Sequence, residues 1–493
     1  ALARRAAATR SMITCAWSLQ RAHHGEQPYW AAIVLAAMLG GQAAPLGALR
    51  EELGRAEALA YGLARVLDSV AAGPEAVAEM INTEGAGLAA APLGSAPRLI
   101  RPRIPVVAIT GTNGKTTTSR MIAHIFKGIG KKVGMTSTDG VVIDERLVIR
   151  SDASGPKSAK MVLQNPRVDF AVFEVARGGI LREGLGYERN DVGVVLNVQA
   201  DHLGLRGVDT LEQLADVKAV IVEAVPRNGF AVLNADDPLV RGMRRRCSGR
   251  IVWFSMAEPG SEIRDSVDDH CRRGGRAVVL EHSDLGDMIV IKEGRRSMQL
   301  AWTHLLPATF AGRAIMNVQN AMAAAAAAFA AGASLHDIRQ GLRTFSTNYY
   351  LSPGRLNEVS VAGRTVIVDY CHNVPGMIML GDFVDKTGDA LESTNDLGRI
   401  SRIAVISTAG DRRDDDMREL GQEAARHFDV LIVREDANLR ARAPGEVANL
   451  VAAGARQAMT DGARCKQLEV IPDEIEAVRH AMSRANRGDL VIL

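Results

Sequence analysis

The chain has 493 residues, too many for a single hydrophobic core, so two to four domains are expected. Apolar residues make up 47% and charged residues 24%, the balance of an ordinary globular protein rather than a disordered or membrane-embedded one. A net charge of +2 gives no electrostatic reason to expect nucleic acid or an anionic membrane as a partner.

The five cysteines (15, 247, 271, 371 and 465) are scattered, without a C-x-x-C pair or metal-ligand spacing, and read as free thiols in a reducing compartment. The longest apolar run, Tyr29 to Gly40, falls short of the roughly 20 residues that a membrane span needs. The first 25 residues contain arginine and no acid, a weak transit-peptide pattern, and the expected compartment is the cytoplasm.

Residues 1–100 are alanine-rich and read as a helical region. Leu49, Leu53, Ala56, Leu59, Leu63 and Val66 recur at three- and four-residue intervals, which places them on one helix face. No catalytic constellation stands out there; the expected role is a helical cap, or a docking surface for a partner protein or a second copy. The Pro-rich segment Ala91 to Pro105 reads as a linker.

From Pro105 onward, β-branched runs alternate with helical patterns, which predicts an α/β fold with a parallel sheet and crossover helices. The expected strands are Val106–Thr110, Val133–Ser137, Phe170–Glu174, Val192–Asn197, Phe230–Asn234 and Ile251–Ser255. An antiparallel excursion follows at Ala277–His282 and Met288–Ile291, and an alanine-rich helix at Ile315–Ala331. A second, smaller α/β unit is expected after Ser352-Pro353-Gly354, with strands at Thr365–Asp369, Ile403–Ser407, Val430–Val433 and Leu490–Leu493. The expected domains are therefore 1–100, 101–350 and 351–493.

The run Val106 to Thr118 carries the clearest chemistry. A strand enters a turn with Gly111, Thr112, Asn113 and Gly114, followed by Lys115, Thr116, Thr117 and Thr118 at a helix start. Glycines let backbone N–H groups approach phosphate, a lysine meets the β/γ-phosphates, and a hydroxyl can ligate Mg²⁺. The full spacing of such loops would put glycine where Ile109 stands, so this is a shortened version. ATP with Mg²⁺ is the expected cofactor pair.

Other candidates lie where strands end, the edge at which open α/β sheets bind ligands. Glu174 closes one strand, and Asp201-His202 follows another. Either Glu174 or His202 could reach Mg²⁺ near the triphosphate, although Glu174 also fits a helix N-terminal carboxylate and His202 an ordinary loop histidine. Lys218, in the helical pattern Leu214–Val225, fits the solvated face of that helix when taken alone.

In order along the chain, the phosphate loop, Glu174, Asp201-His202, Lys218, Asn317/Asn320 and Asp369-Tyr370-Cys371-His372-Asn373 resemble the motifs of the Mur ligases. That family joins amino acids to carboxylates in ATP-dependent amide ligation. The resemblance covers about residues 103–493 and implies a central P-loop ATPase domain with a smaller Rossmann-like C-terminal domain. Ala176 to Leu185, Gly410 to Asp416 and Arg434 to Arg442 resemble the cyanophycin synthetase branch, whose Mur-like half attaches arginine to a polyaspartate chain. Cys371 stands where the family has alanine, and Val374 precedes Pro375.

The resemblance implies roles. Lys115, Glu174, His202 and Lys218 would be catalytic, with Lys218 a candidate for carbamylation. Thr116, Thr138, Glu174 and His202 would surround Mg²⁺. Asn320 would meet adenine, and Arg355 and Asp369 would contact nucleotide. His372, Asp415, Arg434 and Glu435 would bind the amino-acid and peptide-carboxylate substrates, the acids receiving a guanidinium. Two alternatives stand beside this reading: ligation onto a nucleotide-sugar peptide, and a silent scaffold that keeps the fold.

Overall fold

In the computed structural model the chain divides into two compact units, Ala1–Ile100 and Arg101–Leu493. The structure describes residue 79 and residues 100–493, apart from residues 202, 206 and 395–397. The helical face expected from Leu49 to Val66 lies outside the described residues, as does His202. None of the described helices is long and apolar enough to cross a membrane.

The second unit is built on two sheets. The first part of the chain runs β1 (Val106–Thr110), α1 (Lys115–Gly128), β2 (Val133–Ser137), β3 (Gly140–Ile143), β4 (Arg146–Ile149), α2 (Pro156–Gln164), β5 (Phe170–Glu174), α3 (Arg177–Glu183) and β6 (Val192–Val195). It continues with α4 (Leu211–Glu223), β7 (Phe230–Asn234), α5 (Pro238–Gly242), β8 (Arg250–Ser255), α6 (Glu262–Arg272), β9 (Arg276–Ser283), β10 (Gly286–Glu293), β11 (Arg296–Trp302), α7 (Ile315–Ala330) and α8 (Leu335–Thr344). The strands form one sheet in the order β11-β10-β9-β8-β7-β6-β1-β5-β2-β3-β4.

Strands β2 to β9 at its centre are parallel where they pair with β5, β1, β6, β7 and β8, and they read as continuous apolar runs because helices cover both faces. β1 and β5 are buried at every residue. The antiparallel excursion is present as β9–β10–β11, but β9 pairs in parallel with β8, so it extends the main sheet. The alanine run of α7 is buried from Ala323 to Ala328, which brings its backbone close to α1 and the sheet.

The C-terminal sheet comprises β12 (Asn357–Val361), β13 (Arg364–Val368), β14 (Arg402–Ile406), β15 (Val430–Val433), β16 (Gln467–Val470) and β17 (Leu490–Ile492). Its order is β12-β13-β17-β14-β15-β16, parallel except at β12/β13. The helices are α9 (Val374–Thr394), α10 (Asp414–His427), α11 (Glu446–Thr460) and α12 (Glu474–Arg484). Alternate strand residues divide between two cores, Ala404 and Leu431 toward α9, α10 and α11, Ile403 and Val430 toward α12. The short strands β3, β4, β11, β12 and β16 carry no strong sequence signal; β4 and most of β12 are exposed, so no apolar alternation marks them.

α10 and α11 touch backbone to backbone. A methyl group at Gly421 would overlap the Val451 carbonyl, and one at Gly454 the Arg418 carbonyl. Gly421→Ala or Gly454→Ala should therefore destabilise the C-terminal domain by about 3 kcal/mol in urea unfolding. Gly128→Ala, with open space around the added methyl, should be neutral or stabilising by up to about 1 kcal/mol.

Candidate active site

β1 ends at Thr110 between two strand ends, since Ile109 pairs with Glu174 of β5 and Thr110 with Val195 of β6. The chain then turns through Gly111–Gly114 into α1. Gly114 has φ +87°, and its Cα faces the Asn320 carboxamide so closely that no Cβ would fit. No side chain caps α1, so its first-turn N–H groups are available to an anion, where the helix dipole also favours negative charge.

Asn197, two residues beyond β6, holds this turn in shape. Its Oδ1 accepts from the N–H groups of Thr112 and Asn113 at 2.9 Å each, and its Nδ2 donates to Asn113 O at 3.2 Å. Thr112 Oγ1 donates to Gln199 O at 3.1 Å and accepts from Gln199 N at 2.9 Å. Asn320 supports the loop from below, accepting from Thr118 Oγ1 at 3.3 Å and donating to Asn317 Oδ1 at 3.2 Å.

Two ammonium groups converge on one carbonyl. Lys115 Nζ donates to Gly111 O at 3.1 Å and Thr112 O at 2.8 Å, and Lys218 Nζ donates to Gly111 O at 2.9 Å. Lys218 is only 4% exposed, which corrects the reading of a solvated helix face. Burial first, and Lys115 second, push the Lys218 amine down to about 7, against the opposing charge of Asp201.

Glu174 is equally enclosed. Its Oε2 accepts from Thr116 Oγ1 at 2.9 Å and from Thr138 N at 3.2 Å, and the hydroxyls of Thr116 and Thr138 lie 3.3 Å apart. Its Oε1 is buried without a hydrogen-bond partner. Burial raises the carboxyl above its ordinary value, opposed by Lys115, Thr116, Arg355 and Thr138. An orphaned carboxylate oxygen beside two hydroxyls is an all-oxygen donor set, and it fits Mg²⁺. Among the described residues no group of three or more His, Cys, Asp or Glu could hold a metal, so water and phosphate oxygens would complete the coordination.

The C-terminal sheet contributes the facing wall. The Arg355 guanidinium lies 4.8 Å from the centre of the Tyr370 ring, and its charge acts on both Glu174 and Asp369. Asp369 Oδ2 accepts from Leu356 N at 3.0 Å, and burial raises its carboxyl against the pull of Arg355. Burial lowers the His372 imidazole, whose Nδ1 lies 2.9 Å from Tyr370 O.

Two of the expected substrate contacts have partners of their own. Asp415 is 94% exposed and pairs with Arg418 at 3.2 Å, because it stands on the outer side of the first turn of α10. Both Glu435 oxygens accept backbone N–H groups at the start of α11, from Gly445 at 2.8 Å and Ala448 at 3.3 Å, so it caps that helix. Arg434 donates to Glu435 O at 3.1 Å. The acids of these loops are otherwise neutralised internally: Asp411 by Arg412 and Arg440, Asp414 by Arg442, Asp416 by Arg413. Asp436 is half-buried and has no cationic partner among the described residues; its Oδ1 accepts from Asn438 N at 3.3 Å.

Asn113 was expected in the phosphate loop, whereas Asn197 and Asn373 were given no role of their own. The signal was available for Asn197, a polar residue directly after an apolar strand at the edge already marked by Glu174.

Similar proteins place the chain in a family. Residues 109–328 match the Mur ligase middle domain, and residues 354–493 match the Mur ligase glutamate ligase domain. The chain belongs to the Mur ligase family. Within it, the cyanophycin synthetase of Crocosphaera subtropica is 45% identical over 391 residues, 79% of this chain and 42% of that protein. The UDP-N-acetylmuramoyl-L-alanyl-D-glutamate–2,6-diaminopimelate ligase of Geobacillus thermodenitrificans is 28% identical over 405 residues, 79% of this chain and 73% of that protein. A solved folylpolyglutamate synthase/dihydrofolate synthase, with Mn, AMPPNP and L-glutamate bound, shares the fold at a TM-score of 0.57 and 19% identity, covering 80% of this chain and 87% of that one. The chain spans less than half the length of the cyanophycin synthetases that it matches. In this Mur ligase the buried Lys218 has a consequence for stability. Its folded-state value of about 7 lies below the roughly 10.4 of an exposed lysine, so the unfolded chain holds one more proton between the two. Stability should therefore rise with pH across that window by up to about 1.4 kcal/mol per unit. Below it, both states are protonated and the full cost remains. Lys218→Met should flatten the rise in denaturation curves taken between neutral and alkaline pH.

Proposed function

We propose that this chain is an ATP-dependent amide ligase that activates a carboxylate as an acyl phosphate and joins it to an amino acid. A substrate carboxylate oxygen attacks the γ-phosphorus of ATP and ADP departs. The amine then attacks the acyl carbon, phosphate leaves with the oxygen of the broken C–O bond, and the amine proton passes to solvent. The observation that carries this reading is the buried Glu174 carboxylate, one oxygen without a partner, held against Thr116 at an uncapped helix start beside Lys115.

The protein's own groups supply electrostatics and position, which is most of what phosphoryl transfer requires. The first-turn N–H groups of α1 and the Lys115 ammonium would face the transferred phosphoryl group. Glu174, with Thr116, Thr138 and His202, would hold Mg²⁺, which supplies charge neutralisation when bound. Arg355 and Asp369 bring charged groups from the C-terminal side, and closure around them excludes water from an intermediate that water would hydrolyse.

Lys218 is proposed to act as a carbamate. An amine titrating near 7 is largely neutral at physiological pH, and its nitrogen adds to CO₂ with release of one proton. When Lys218 is protonated, two ammonium groups share the Gly111 carbonyl and repel each other. A carbamate in place of one converts that repulsion into attraction and adds an anionic oxygen donor near the metal site.

For the substrates, we propose arginine joined through its α-amine to an aspartyl side-chain carboxylate of a peptide. Two supports stand behind this: the 45% identity to a protein named cyanophycin synthetase, and Asp436, which has no cationic partner among the described residues. A half-buried carboxylate without a cationic partner suits a guanidinium, which carboxylates bind in two-pronged fashion.

Phosphate release should be measured with aspartyl peptides and each amino acid in turn. Arginine should stimulate it most, and equal stimulation by neutral amino acids would rule the arginine assignment out while leaving the ligase chemistry standing. Asp436→Asn should raise KM for arginine more than KM for ATP. Lys115→Ala should lower the rate by about 10²–10³, and parental turnover in that variant would overturn the phosphate-loop assignment. Lys218→Ala should lose activity, and short-chain carboxylates should restore part of it. If added bicarbonate changed nothing in the wild type and the carboxylates rescued nothing in the variant, the carbamate would be excluded.

A further inference from the structure

One side chain joins the phosphate loop to the C-terminal sheet. Asn373, at the entry to α9, is 6% exposed. Its Oδ1 accepts from Asn113 Nδ2 at 3.2 Å and from Gly376 N at 2.8 Å. Its Nδ2 donates to Asn113 Oδ1 and to Asp201 Oδ2, both at 3.2 Å. A carboxamide has two donors and two acceptor positions, and here all four are used. Asn113 stands inside the phosphate loop, so the loop's own side chain is paired, amide to amide, with the other sheet.

The chain of contacts continues. Asp201 Oδ1 lies 3.0 Å from the Nε of Arg412, a side chain only 5% exposed. Arg412 Nη1 reaches Asp411 at 2.7 Å, and Asp411 reaches Arg440 Nη1 at 2.6 Å. Arg442 ties the same two loops by donating to Gly410 O at 3.1 Å and Arg412 O at 2.9 Å. Just before Arg442 the backbone is left-handed at two non-glycine residues, φ +50° at Arg440 and +71° at Ala441. Such a conformation persists only while surrounding contacts impose it. The loop that carries Asp436 is thus tied by ion pairs to Asp201, to which Asn373 donates a hydrogen bond.

We propose that Asn373 is a positioning residue that makes the order of the amine-side loops, 409–413 and 434–445, depend on occupancy of the phosphate loop. The inference rests on the proposed nucleotide site, and it adds that binding there is felt some distance away through one saturated carboxamide. Coupling of this kind is reciprocal, so an amine held by the 434–445 loop would tighten nucleotide binding by the same factor.

The test is hydrogen–deuterium exchange on the whole chain with and without Mg²⁺ and AMPPNP. In the wild type the nucleotide should slow exchange in the phosphate loop and, by about tenfold, in both amine-side loops. Asn373→Asp is nearly isosteric but cannot donate, and it sets one carboxylate against Asp201. It should keep the slowing in the phosphate loop and lose it at 409–413 and 434–445. Asn373→Ala removes the amide pair altogether and should behave alike if Asn373→Asp folds poorly. Retained slowing of the amine-side loops in both variants would overturn the proposal. So would wild-type slowing confined to the phosphate loop. Failure of arginine to stimulate phosphate release would count against the substrate reading alone, because this experiment uses only nucleotide. No slowing anywhere would sink the nucleotide site and the relay together.

Discussion

The Gly111 carbonyl accepts hydrogen bonds from two lysine ammonium groups, and the rest of the site is arranged around that crowded point. Like charges this close are tolerable only when other charges surround them or when one is neutral. Both conditions are visible: Asp201 opposes the lysines, and burial drives Lys218 toward its neutral form. A site built this way is poised for an incoming polyanion, since a triphosphate relieves the repulsion that the free site carries. Cost in the free protein and affinity for the ligand have one electrostatic origin.

The sheet explains why these groups meet. β1 lies between β5 and β6, so the loop leaving β1 is flanked by the residues that leave its neighbours. Glu174 comes from one side and Asn197 from the other, and each is used differently. Glu174 keeps an oxygen unspent, whereas Asn197 spends its carboxamide on the loop backbone. One keeps an acceptor free and the other fixes the loop.

The C-terminal sheet has a second function besides closing the site. Its charged loops are cross-linked internally by arginines, which makes them a coherent wall rather than an open acidic surface. Asp436 stands outside those pairs among the described residues.

Much of the fold was legible in the residues. The buried parallel strands from Val106 to Ser255 announce themselves as β-branched runs, and the Gly111–Thr116 loop identifies its chemistry because few residue types permit phosphate contact. Lys115, Thr116 and Glu174 follow from spacing and from position at strand ends. The short strands β4 and β12 do not, since exposed residues leave no periodic trace. Nor does the burial of Lys218: helical periodicity identifies a face, but only the packing of α4 against β1 and β6 decides which face is enclosed. Asp415 and Glu435 look alike as acidic loop residues, and tertiary structure separates them, one in solvent and the other under a helix N-terminus. Asn113 and Asn373 are 260 residues apart, and no local rule pairs them. Local sequence determines which groups can bind phosphate and where strands begin. Which charges remain unpaired is decided only when distant segments converge, because pairing depends on distance in space and on exclusion of water.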